Sequence, residues 1–158
     1  MIENYLKILE ESLVKKLTVL DEIVVYNEGQ EALLKQEKVS MEELDENMQQ
    51  KDKLIQKLTE LDDGFETLYE RIREQLLGNK ELYRVQIKRL QELISRVTER
   101  SVSIQAQEAR NKKLVEDYFA KEKNQLKQGR QASKVAYDYY KSMNNTNVVP
   151  PQIMDQKQ

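Results

Sequence analysis

Histidine, cysteine and tryptophan are absent from this chain of 158 residues. Their absence removes the commonest general base, the thiolate nucleophile and nearly every zinc-binding constellation. Without cysteine there is no disulfide framework, as is usual in a reducing compartment. Both prolines sit together at Pro150 and Pro151, so nothing upstream of them forbids helix. The glycines at 29, 64, 78 and 129 are isolated and form no phosphate-cradling loop. No run of about 18 apolar residues occurs, which argues against a transmembrane span. The first residues, MIENYLKILEESL, carry Glu3, Glu10 and Glu11 and no basic n-region, unlike a secretory signal. A cytoplasmic, soluble protein without membrane insertion is the expectation.

What the chain has in abundance is charge and helix formers. Charged residues make up 34% of it, and Glu, Lys, Leu and Gln dominate, as they do in long helices and coiled coils. The charges are unevenly placed. Residues 1–79 hold 10 Lys/Arg and 19 Asp/Glu, a balance of −9, whereas residues 80–141 hold 15 and 8, a balance of +7. Two complementary parts folding against each other account for this. Because the Lys and Arg are interleaved with acids rather than clustered, no nucleic-acid partner is expected.

Leu6, Leu9, Leu13, Leu17, Leu20 and Val24 recur at spacings of three and four, predicting a first helix over about 2–38. Ser40-Met41-Glu42-Glu43 then forms a capping box, in which the Ser40 hydroxyl takes the Glu43 amide. The second helix, over about 41–77, shows Leu44, Met48, Ile55, Leu58, Leu61, Phe65, Leu68, Ile72 and Leu76, with Lys51 interrupting. Gly64 lies inside it and is expected to be tolerated or to bend it mildly. Gly78 is expected to end it in the left-handed C′ conformation, with Asn79 capping the next helix. The third helix, over about 80–128, carries Leu82, Ile87, Leu90, Ile94, Val97 and Ile104. The register of all three stripes drifts, so no sustained heptad seam is expected. Met41 and Met48 lie on the second stripe and read as core.

The predicted class is all-α: an elongated antiparallel three-helix bundle or coiled coil with a long third helix and a flexible C-terminal tail. Short connections make consecutive helices antiparallel. The first two helices span about 55 Å each and the third about 73 Å, so the end of the third has no partner in such a hairpin. That overhang carries Leu114, Val115, Tyr118, Phe119 and Leu126, an amphipathic face that would not stay bare in water. Folding back at Gly129, self-association (as in a homodimer) or another protein would cover it. A short helix over 130–141 is a further possibility, and 142–158 is expected to be a flexible tail after a helical domain over 1–141. Tyr137, Tyr139 and Tyr140 cannot all lie on one buried helical face, and tyrosine is enriched at interfaces. The acidic pairs Glu10/Glu11, Glu42/Glu43 and Asp62/Asp63 read as solvated faces rather than catalytic groups, and no activated nucleophile stands out. No catalytic residue, metal site or cofactor is therefore assigned.

In its order of segments the chain resembles the FlgN/FliT-type flagellar export chaperones, and more specifically the longer FlgN-like proteins of clostridial type. The likeness covers residues 1–141: ILEESL in the first helix, KDKLIQKLTELD in the second, and SIQAQEARNKKLVEDYF in the third. The family's Asn-x-x-Leu-aliphatic step late in its last long helix is matched by Asn111, Leu114 and Val115. The resemblance implies a cytoplasmic, non-enzymatic chaperone of flagellar type III secretion. Its partners would be hook-associated (hook–filament junction) proteins and the export gate protein FlhA. Substrate binding would then fall on Asn111, Leu114, Val115, Tyr118, Phe119 and Leu126, and export-gate docking on Tyr137, Tyr139 or Tyr140. The family's docking tyrosine is often followed by glycine, and none of these three is. The alternative is a structural coiled-coil scaffold protein that self-associates through its C-terminal helix.

Overall fold

Three helices make up the computed structural model, which describes residues 1–125 and Asp138: α1 (Ile2–Leu34), α2 (Met41–Gly78) and α3 (Arg84–Gln125). No strand occurs among the described residues, as the all-α class requires. The predicted short helix over 130–141 and the tail over 142–158 lie outside them, Asp138 apart. No helix among the described residues is long and apolar enough to cross a membrane.

The helix ends differ from those predicted by a few residues, for local reasons. α1 stops at Leu34 rather than Lys38, and residues 35–40 make the connection to α2. The capping box holds on its hydroxyl side: the Glu43 amide donates to Ser40 Oγ at 3.2 Å, and the Leu44 amide to the Ser40 carbonyl at 3.0 Å. Val39 before the cap and Leu44 after it are both buried, at the two positions of a hydrophobic staple. At the other end of α2 no glycine has a positive φ, so the left-handed cap expected at Gly78 is not formed. Asn79 replaces it, donating its side-chain amide back to the Gln75 carbonyl at 2.7 Å. Its own carbonyl accepts the Tyr83 amide at 3.2 Å, and α3 starts only at Arg84. Gly64 lies within α2 without interrupting it.

The expectation of a drifting register is corrected. Apart from Val19, the buried residues of α1 are Leu6, Leu9, Leu13, Lys16, Leu20, Ile23, Asn27, Gln30 and Leu34, alternating three and four apart. α2 repeats this with Leu44, Met48, Lys51, Ile55, Leu58, half-buried Asp62, Phe65, Tyr69, Ile72 and Leu76. α3 does so with Leu90, Ile94, Val97, Ser101, Ile104, half-buried Glu108, Asn111 and Val115. This is the 3.5-residue repeat of a coiled coil. Polar side chains occupy several of its inward positions, which disguises the seam when only apolar residues are followed. Leu17, Val24, Leu61 and Leu68, assigned inward by apolar spacing, are only half-buried.

The helices form two compact units, each a three-helix bundle. The first combines Met1–Asp21 with Gln56–Ser101. Its core is mostly apolar, with Leu9, Leu13, Leu58, Ile72, Leu90 and Ile94 buried. Phe65 and Tyr69 stack with ring centroids 6.3 Å apart. Each such side chain removed from water contributes roughly 1.5–3 kcal/mol. Lys16 enters this core bonded to Asp62, and α3 adds surface pairs from Arg89 to Glu10 and from Arg100 to Asp21. The second unit combines Glu22–Ile55 with residues 102–125 of α3. Since the first unit joins the start of α1 to the end of α2, and the second the reverse, those helices are antiparallel. Residues of α1 and α3 that hydrogen-bond are 79 to 84 positions apart throughout, so these two run parallel.

Candidate functional site

The second unit contains a polar layer where a coiled coil ordinarily places aliphatic residues. Asn27 and Gln30 come from α1, Lys51 from α2, and Glu108 and Asn111 from α3. Lys51, with no exposed side-chain surface, lies 2.9 Å from Glu108 Oε2 and donates to Gln30 Oε1 at 3.2 Å. Asn111 donates to the same Gln30 oxygen at 2.9 Å and to the Asn27 carbonyl at 3.0 Å. Asn27 in turn donates to Gln107 Oε1 at 3.1 Å. Burial pushes the Lys51 ammonium below the ordinary lysine value, and Glu108 pulls it part of the way back. Hydrogen-bonded charges in a low-dielectric interior need every partner they have. The layer therefore acts as a connector of three helices rather than as an accessible reactive centre.

Asn111, one of the residues singled out from sequence, is thus an interior connector and not a surface group. Val115, one turn further, is fully buried, because α1 and the six-residue connection after it reach this far along α3. The expectation that this end of the third helix lacks a partner is corrected at these two positions. Leu114, Tyr118 and Phe119 remain half-buried. Leu126, Tyr137, Tyr139 and Tyr140 lie outside the described residues.

Leu114 and Tyr118 line a groove of about 580 Å³ together with Leu34, Val39 and Met41. Its polar rim includes Glu37, Lys38, Asp117 and Lys121. Tyr118 and Phe119 meet edge to face with centroids 5.6 Å apart, and the Tyr118 hydroxyl donates to Glu122 Oε1 at 2.8 Å. Burial, with that hydrogen bond and the Glu122 charge, pushes the phenol up to about 12. Apolar spacing alone does not mark Leu34, Val39 and Met41 as groove residues. The signal for Val39 was available, since an apolar residue just before a Ser cap is the first half of a staple. Met41, read as core, is half-buried on the groove, while Met48 is core as expected.

Nothing identifies a family for this arrangement. No protein-family model, curated protein or solved structure matches the chain. The functional reading therefore rests on the groove and on the ordered resemblance of its segments.

Proposed function

We propose that this protein is a cytoplasmic, non-enzymatic chaperone of flagellar type III secretion, which holds hook-associated proteins and hands them to the export gate protein FlhA. The observation that carries the reading is the groove beside Leu114 and Tyr118, where these two side chains of α3 and Met41 at the start of α2 are left half-covered. An amphipathic client helix lays its apolar side chains into a groove of this kind. Leu114, Tyr118 and Phe119 are the contact residues in this reading. Asn111 and Val115 lie behind them and hold α3 in place, so their part in client binding is positional. Release is favoured by placing the site at a helix end, where local opening costs least.

Co-expression with hook-associated proteins tests the proposal. A stoichiometric complex is expected, weakened roughly tenfold or more by Leu114→Asp or Phe119→Asp with helix content unchanged. Replacing Tyr137, Tyr139 and Tyr140 by alanine is expected to spare that complex and lower export. A homodimer abolished by the same two aspartates, with no client complex, would establish the scaffold reading instead.

A further inference from the structure

A second groove, of about 380 Å³, lies in the first unit where α2 ends and α3 begins. Leu76, Leu77, Ile87 and the ring of Tyr69 give it an apolar lining. Lys80, Arg84 and Lys88 stand along it at four-residue intervals, against the single acid Glu81. All three are exposed, and none makes an ion pair among the described residues. The Tyr69 hydroxyl is buried and has no hydrogen-bond partner among the described residues. Beside the groove in sequence, Leu82 and Val85 are 70% and 76% exposed, the highest values among the large apolar residues described apart from Met1.

We infer that this corner is a docking surface for an acidic amphipathic helix of a partner protein. Apolar side chains of the partner enter the groove, while carboxylates four residues apart on its flank match the spacing of Arg84 and Lys88 on α3, with Lys80 in the preceding turn adding positive charge. Leu82 and Val85 extend the apolar footprint beyond the groove. Concavity favours a peptide over an anionic membrane, which would prefer a convex apolar tip without Glu81. The inference does not depend on the chaperone reading, since it concerns other residues in the other unit.

The test uses the full chain and a labelled synthetic helix with leucine at i, i+3, i+4 and i+7 and glutamate elsewhere. Fluorescence anisotropy is expected to show binding that weakens as salt is added. The same helix with lysine for glutamate should not bind. Arg84→Glu with Lys88→Glu should weaken binding roughly tenfold or more, and Arg84→Gln with Lys88→Gln by less. Leu114→Asp, in the other unit, should leave it unchanged. Thermal melting of each variant confirms that these exposed substitutions keep the fold. The inference is overturned if the acidic helix does not bind, if both helices bind equally, or if charge reversal has no effect. Binding that depends on Leu114, or binding to phosphatidylglycerol vesicles in place of the peptide, overturns it as well.

Discussion

Lys51 Nζ and Glu108 Oε2 are 2.9 Å apart, one from α2 and one from α3, and the lysine side chain has no exposed surface. With Gln30 of α1 accepting from the same ammonium, one cation links all three helices of the second unit. A buried pair of this kind contributes little net stability against an apolar replacement, yet is costly to break from one side. We expect Lys51→Met to destabilise the chain by about 3–5 kcal/mol and Lys51→Met/Glu108→Leu to recover most of that loss. Urea unfolding of the two single variants and the double variant measures the coupling. Additive losses would show that the pair is not coupled.

The same lysine gives a pH signature. Its folded value is depressed by burial, so between that value and 10.5 the unfolded chain binds more protons than the folded one. Stability therefore rises with pH across this window, and Lys16, depressed by its own burial, adds the same sign. Unfolding free energies measured as pH is raised towards 10.5 should increase for the native chain relative to Lys51→Met/Glu108→Leu. Parallel profiles would contradict the assignment.

Tyr118 acts in the opposite sense at higher pH. Its hydroxyl is held up to about 12, above the ordinary value of 10.0, so the unfolded chain loses this proton first. Stability should fall between these two values, and Tyr118→Phe should reduce that fall. Alkaline melting curves of the two proteins make the comparison. An identical decline would place the cause elsewhere.

Gly64 is exposed inside α2, and a methyl group built on it meets nothing within 4 Å. Gly64→Ala should therefore stabilise the chain by about 0.5–1 kcal/mol, since alanine loses less backbone freedom on forming helix. A lowered melting temperature would mean that glycine is needed there for a reason other than helix formation.

The helices were legible because capping and reversal signals are local. Ser40 and Glu43 mark the start of α2 by bonds between near neighbours, and Asn79 closes its end the same way. The seam was less legible. Lys16, Asn27, Gln30 and Asn111 are inward residues whose side chains find their partners on other helices, far away in sequence. Following apolar residues alone therefore moved the stripe onto Leu17, Val24, Leu61 and Leu68, which flank the seam. The groove was legible on α3, through Leu114 and Tyr118, and hidden on the connection. Where residues 35–40 pass depends on how far α1 extends, and no single local signal sets that length.

The parallel pairing of α1 with α3 also orders events during synthesis. The α1–α2 bonds at Tyr26–Asn47 and Gln30–Lys51 close loops of only 21 residues, whereas Asn27 and Asn111 are 84 apart. A hairpin of α1 and α2 can form on the ribosome before α3 has emerged, because short loops cost less entropy to close. In such a hairpin Gln30 would face Lys51 while the ammonium still lacked its carboxylate partner. Only when Glu108 leaves the ribosome does Lys51 meet its counter-ion, and the two lose their hydration together.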